Sequence, residues 1–327
     1  MRILAAYDVF SACAWYRLAI PLHAASLAGC EVRLRQASVS ASDLAWCDVF
    51  VVQRGWHPNM LRAVTDARIL GKRVVYDLDD DLWTVGPRNS SAAFWKAHRE
   101  DAERVIRACH AVTVTGPALA STLSRHHDHV SIVPNALPPD FTRTSRPHDG
   151  LVIGWAGSSS HAEDLEMVAE SVAGFLGPDV RLETAGGCAV THEHAVSLKA
   201  VPIERYHELL SRFDIGLAPL CDSRFNRAKS DLKLIEYSAV GVPWIASPVG
   251  PYKPHKGCGA GLLASTPTEW KRHLAFLMEH PEARRQMGER GFEWARRIDT
   301  TLPAWLAVWE GSRGHRRDRG RASLAAS

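Results

Sequence analysis

Short apolar runs alternate with longer stretches of mixed polarity along this chain from its first residues. The runs at 2–7, 48–53, 73–78, 111–115 and 130–133 are rich in small and β-branched residues and predict buried strands. Between them, apolar positions three and four apart predict helices over 16–27, 58–70 and 91–109. The rhythm resumes with a buried strand from 151, further strands over 180–183, 198–201, 214–217 and 244–246, and helices over 203–213, 269–278 and 281–297. Strand and helix in turn predict parallel sheets covered on both faces. Ligands of such sheets bind beyond the carboxyl ends of the strands, so the loops after Tyr7, Gln53, Leu78 and Thr115 are expected to face a cleft.

The most informative stretch is KSDLKLIEYSAVGVPWIASPVG, at 229–250. Ser230 is a helix-capping residue, and Asp231 in the first turn suits the positive end of the helix dipole. Leu232, Ile235 and Ala239 form one apolar face, while Gly241 and Pro243 end the helix before an inner strand. The first amides of a helix lack intrahelical partners and form an anion site with the dipole. Lys229 and Ser230 stand at that end, so a diphosphate can be met there by charge, amides and a hydroxyl. Glu236 lies roughly 7.5 Å further along the axis, within reach of a ribose whose phosphates rest on the helix start. An amphipathic helix with a surface Lys and a surface Glu has the same spacing.

Other loops carry candidate chemistry. DVFSACAWYRL, after the first strand, has small residues that admit a ligand, and Arg17 is a candidate for an anion; packing of Trp15 and Tyr16 beside a solvated Arg17 fits equally. Asp77, Asp79, Asp80 and Asp81 crowd the end of a buried strand, where like charges repel unless a cation, a hydroxylated substrate or an arginine meets them. A D-x-D metal site, an acidic receiver pocket and carboxylates binding sugar hydroxyls all match. Gly154, Gly157 and Ser158 to Ser160 make a second anion cradle, with His161 beside it as a further candidate, although a single His is more often a cap or surface residue. Gly186 and Gly187 are placed to approach a nucleotide base. The histidines at 126–129 and 191–194 lack zinc-like spacing and read as solvated loops. Pro134, Pro138, Pro139 and Pro147 mark a linker, and 302–309 is an amphipathic segment.

Composition narrows the class. A 327-residue chain with 46% hydrophobic content suits two domains. A formal charge of +3 implies neither nucleic acid nor an acidic membrane as partner. Seven cysteines without a C-x-x-C pair argue against a disulfide framework or a zinc site. That cysteine usage fits a reducing cytoplasm, and since no signal peptide or spanning helix is read, the protein is expected to be soluble or at most to rest on a surface. The basic run at 313–321 is expected to be disordered.

The 229–250 stretch resembles the donor motif of the GT-B glycosyltransferases of family 4, in which I-E-Y-x-A-x-G-x-P leads to a strand and a V-G turn. VPN at 133–135 followed by Asp140-Phe141 is similar to the segment that closes the family's N-terminal domain, and the first loop is similar to the family's, without its glycine pair. The resemblance implies a GT-B fold, α/β, with two Rossmann-like domains facing a cleft. It divides the chain into 1–147 on the acceptor side, 148–298 binding the donor, a crossing helix at about 300–312 and a tail at 313–327. It implies transfer of a sugar from a nucleotide diphosphate sugar, with retention, without metal or other cofactor, to an acceptor that is a glycan, lipid-linked sugar, protein or modified base. Glu236 takes the ribose-binding place. The family's earlier Glu is Ala228 here, which shifts its work to Lys229. The resulting site is Lys229, Asp79 and Asp80 at the chemistry, with Asp79 and Asp80 facing donor sugar or acceptor. Gly157, Ser158, Ser159, Ser230, Asp231, Leu232 and Glu236 hold the donor, and the tail is a peripheral surface contact. A nucleotide-sugar epimerase of this fold, or a binding protein without activity, fits the same motifs.

Overall fold

The computed structural model describes residues 1–145, 147–187, 190–298 and 301–311. Two six-stranded sheets form, one in each half of the chain, and all their pairings are parallel. The first contains β1 (Arg2–Tyr7), β2 (Glu31–Gln36), β3 (Val49–Gln53), β4 (Arg73–Leu78), β5 (Ala111–Val114) and β6 (Val130–Ile132), in the order β2-β1-β3-β4-β5-β6. The second contains β7 (Leu151–Ala156), β8 (Val180–Ala185), β9 (Ala195–Leu198), β10 (Ile215–Ala218), β11 (Trp244–Ala246) and β12 (Gly261–Leu263), in the order β12-β11-β10-β7-β8-β9.

Inner strands follow the apolar runs because both of their faces are covered: all five residues of β3 are buried. Edge strands do not. In β2 every residue is at least partly exposed, and its Arg33 and Arg35 pair with Asp43 on the following helix, Ala41–Trp46. Periodicity therefore missed β2, that helix and the three-residue β12, and it placed β9 three residues too late. The helix expected over 203–213 divides into a 3-10 turn, Ile203–Arg205, and a helix, Tyr206–Leu210.

The proline-marked segment between β6 and β7 has no regular secondary structure among its described residues. It is nevertheless fastened to the second half. Phe141 is buried in that half's core, and Arg143 lies over the Phe292 ring at 4.3 Å and pairs with Glu289. The last helix, Leu302–Glu310, returns to the first half as expected. Trp305 and Trp309 are buried among Ile3, Ala5, Leu18 and Val49, and Arg73 Nε donates to the Val308 carbonyl at 2.7 Å. The basic run at 313–321 lies outside the described residues. Among the described residues no helix is long and apolar enough to cross a membrane.

Candidate active site

Strand order reverses between β1 and β3 in one sheet and between β7 and β10 in the other. A crevice opens beyond the carboxyl ends of the strands at such reversals. Here the two crevices face each other across one cavity of about 450 Å³. Ser11, Tyr16, Asp79, Asp80 and Asn135 line it from the first half; Gly157, Ser158, His161, Gly186, Lys229, Leu232 and Glu236 line it from the second. A separate cavity of about 510 Å³ along the helix Pro58–Ile69 contains none of the candidate residues.

The helix expected near 230 runs from Leu232 to Ala239, and Gly241 stops it with a φ of 72°. Its N-cap is Asp231, not Ser230, and no side chain caps it. Ser230 instead accepts at Oγ from Asn135 Nδ2 at 3.0 Å, across the cleft. The Asp231 carboxylate meets His255 Nε2 at 2.9 Å and does not line the cavity, which corrects its donor-contact assignment. Leu234, Ile235 and Tyr237 face the core, so the period of 3.6 turns Leu232, Lys233 and Glu236 to the cleft. Glu236 is 5% exposed and accepts at Oε1 from the Tyr16 hydroxyl at 2.6 Å. Burial raises its pKa above the ordinary carboxyl value, against the opposing pull of Lys233 and the Tyr16 bond. Lys233 donates to the Ala156 carbonyl and lies 5.3 Å from the Trp155 ring centre. Burial lowers its pKa.

The four aspartates are met by arginines. Arg54, just past β3, takes the left-handed backbone conformation at φ 52°, uncommon outside glycine. It sends Nε to Asp79 at 2.5 Å and Nη2 to Asp80 at 2.6 Å. Lys229 approaches Asp80 to 3.4 Å. Burial works against the Asp80 charge, but Lys229 and Arg54 hold its carboxyl below the usual range. Asp77 is buried against Arg17, and Asp81 accepts from the Trp83 amide and from Thr122. Only Asp79 and Asp80 line the cavity. Arg17 also lines the cavity but is 1% exposed, and the anion it meets is Asp77 at 2.7 Å; Nη1 donates to the Val133 carbonyl at 2.6 Å and to Asn135. Among the described residues no group of three or more His, Cys, Asp or Glu is arranged to hold a metal ion.

In the turn after β7 the glycines do different work. Gly154 faces the Phe213 ring, where a Cβ would come within 1.9 Å, and so belongs to the core. Gly157 and Gly186 bring two turns together: Gly186 has φ +93°, and a Cβ there would meet the Gly157 carbonyl at 1.6 Å. Ser158 and Ser160 share a hydroxyl bond of 2.5 Å beside the cavity. Ser159 begins the 3-10 turn Ser159–His161, and its side chain lies outside the description. His161 is not a surface residue; its Nδ1 meets the buried Asp164 at 2.7 Å. Ala228 is 3% exposed and packs with the first half's core. The histidines at 126–127 are not solvated: His126 stacks on Trp83 at 4.1 Å and His127 bonds the Cys109 carbonyl.

Sequence reasoning missed Tyr16, Arg54, Asn135, Asp164 and Lys233. The loop holding Arg54 was expected at the cleft, and Lys233 lies one turn before Glu236, so both positions were within reach of the periodicity. Tyr16 and Asn135 act through contacts 220 and 95 residues distant, which no local pattern encodes.

Residues 166–302 match the family described as "Glycosyl transferase-like". No curated protein sequence matches the chain. Among solved structures, sucrose-phosphate synthase from Thermosynechococcus elongatus aligns with a TM-score of 0.69 at 12% identity, over 95% of this chain and 98% of that one. Anabaena HepE in complex with UDP and glucose aligns with a TM-score of 0.69 at 12% identity, over 95% of this chain and 100% of that one. A putative UDP-N-acetylglucosamine 2-epimerase from Listeria monocytogenes aligns at 0.55 and 13%, over 95% of this chain and 97% of that one.

Proposed function

We propose that this chain, whose two facing parallel sheets have the GT-B fold, is a glycosyltransferase that takes a sugar from a nucleotide diphosphate sugar, and that it does so with retention and without a metal ion. One observation carries the reading: Lys229, Lys233 and the start of the helix Leu232–Ala239 converge on the cavity in which Glu236 sits one turn deeper. Cations and free amides suit a diphosphate, and a buried carboxylate suits the ribose hydroxyls beyond it. Gly186, Ala200, Val201 and Ile203 form an apolar stretch of the lining that suits a base. HepE, whose complex holds UDP and glucose, supports the choice of ligand class.

In the reaction, negative charge grows on the leaving diphosphate. Lys229, Lys233 and the helix amides are fixed in place before the bond breaks, so they stabilise the transition state more than the ground state. Arg54 holds Asp79 and Asp80 at the opposite wall, where their remaining oxygens can accept from sugar or acceptor hydroxyls. No side chain in the cavity is assigned as a base for the acceptor, whose proton can pass to the departing phosphate. The acceptor is a hydroxyl of a glycan, lipid-linked sugar, protein or modified base. An epimerase reading keeps the donor site and drops the acceptor.

The test is donor binding followed by acceptor screening. A panel of nucleotide diphosphate sugars is ranked by thermal shift, and transfer is measured with the tightest. Glu236→Ala should weaken the matching nucleoside diphosphate by one to two powers of ten, since a charged hydrogen bond contributes about 1.5 to 3 kcal/mol, and should weaken the 2′,3′-dideoxy form far less. Equal losses for both forms would falsify the ribose role. Lys229→Met should spare nucleoside binding and slow transfer. Donor consumed with no acceptor glycosylated would favour the epimerase.

A further inference from the structure

His161 and Asp164 form a cluster that the donor reading leaves without a task. Asp164 is 3% exposed and both of its oxygens are anchored. Oδ1 accepts from the Cys221 amide at 2.7 Å and from Asn226 Nδ2 at 2.8 Å, and Oδ2 meets His161 Nδ1 at 2.7 Å. Asn226 is itself held: its backbone N–H donates to the Ser223 hydroxyl that caps the short helix Arg224–Arg227, and Nδ2 also donates to the Cys221 carbonyl at 3.0 Å. The carboxylate therefore cannot turn away from the ring. An ionised Asp accepts a hydrogen bond from Nδ1–H and so fixes the ring's proton on Nδ1, which leaves Nε2 as the open position. His161 lines the cavity, and Nε2 has no hydrogen-bond partner among the described residues. Its ring also touches Trp155 edge-on at 6.2 Å.

We propose that Asp164 is a positioning residue that aims His161 Nε2 at the donor's diphosphate, and that His161 takes up a proton on donor binding and donates it as a hydrogen bond to a phosphate oxygen. This rests on the donor site argued above. The charged groups facing the ring are Asp164 from its own helix, Ala162–Glu166, Lys229 and Lys233 from the start of the helix Leu232–Ala239, and Asp80 from the first half. Burial and the two lysines lower the ring's pKa, against the pull of Asp164. The uncharged ring thus has no proton on Nε2. A diphosphate placed among the lysines brings negative charge that reverses their effect and favours the imidazolium. The ligand's own bonds are untouched: a proton leaves a solvent or buffer acid, forms the Nε2–H bond of the imidazolium, and is then shared as a hydrogen bond with a phosphate oxygen. If the dyad merely pins the 221–227 loop to the turn after β7, no proton moves when the ligand binds.

The full chain is titrated calorimetrically near pH 7 with UDP-glucose, UDP-N-acetylglucosamine, GDP-mannose and ADP-glucose, in buffers of different ionisation enthalpy. These ligands are diphosphate diesters and do not themselves titrate near neutral pH. With the tightest ligand, the wild type should take up a measurable fraction of a proton, and its affinity should fall as pH rises from 6 to 8.5. His161→Gln should abolish the uptake, flatten that pH dependence and weaken binding about tenfold or more at low pH. Asp164→Asn should shrink the uptake; His161→Gln is the independent arm, since it leaves the Asp164 bonds to Cys221 and Asn226 in place. Wild-type binding without proton uptake, or uptake that survives in His161→Gln, overturns the proposal while leaving the donor site standing. If none of the four ligands binds, the donor site itself falls, and this inference with it.

Discussion

A carboxylate that is 5% exposed and accepts one protein hydrogen bond, as Glu236 does from Tyr16, is costly to ionise. The direction of its pKa shift gives the sign of the consequence. A group whose pKa is raised on folding stabilises the fold below its unfolded value and loses that contribution as pH rises through the folded value. Above the ordinary carboxyl range Glu236 therefore lowers the stability of the fold relative to an uncharged side chain. Glu236→Gln keeps an acceptor for Tyr16 and removes the charge. It should melt higher than the wild type at pH 8 without nucleotide, with a difference that shrinks toward pH 5. A lower melting temperature for the variant at pH 8 would show the carboxylate to be fully compensated where it stands. Gain in stability with loss of nucleotide affinity is the pattern of a residue kept for binding.

Single elements are tied together through Arg17, which sits in the π-helical turn Trp15–Ala19 at the head of the helix Ile20–Leu27. Its guanidinium reaches Asp77 in β4, the carbonyl of Val133 after β6, and the face of Trp305 in the last helix at 4.6 Å. Four elements meet on one buried side chain. Arg17→Met leaves Asp77 as an uncompensated buried charge and should cost about 3 to 5 kcal/mol in denaturant unfolding. Adding Asp77→Leu should recover much of that loss, because the pair is then removed together. A double variant no better than the single one would assign the loss to packing against Trp305 instead.

Across the whole molecule the two halves touch through the residues assigned to the donor: Tyr16 on Glu236, Asp80 near Lys229 and Asn135 on Ser230. Donor affinity and the relation of the halves should be coupled for that reason. Lys229 and Arg54 already neutralise Asp79 and Asp80, which supports the proposed independence from metal. Transfer should survive saturating EDTA, and activity lost with EDTA and restored by manganese would overturn that part of the proposal. The basic run at 313–321 follows a helix that is already anchored by Trp305 and Trp309. Deleting the chain after Gly314 should leave turnover on a soluble acceptor unchanged. If the run binds a membrane or polyanionic acceptor, only activity on that acceptor should fall, and the wild type's advantage there should weaken at high salt.

The parallel sheets, the helix that presents Glu236, the returning last helix and the loops that border the cleft were all legible in the sequence. The elements are written in local period, since an inner strand is an apolar run and a helix against a sheet repeats every three to four residues; the return of the last helix was legible only through the resemblance to the GT-B family. Edge strand β2 was not legible, because its exposure breaks the apolar run. The partners were not legible either. Whether Arg17 meets a ligand or Asp77, whether four aspartates repel or are bridged by Arg54, and whether His161 is a surface residue or is held by Asp164 depend on side chains brought together by folding. Their charges interact over a few ångströms across sequence separations that no periodicity records. The sequence by itself determined the inner strands, the helices packed on them and which of their ends face the cleft; the tertiary structure alone decided the exposed edge elements, which charges stay paired inside the protein and which are left to meet a ligand.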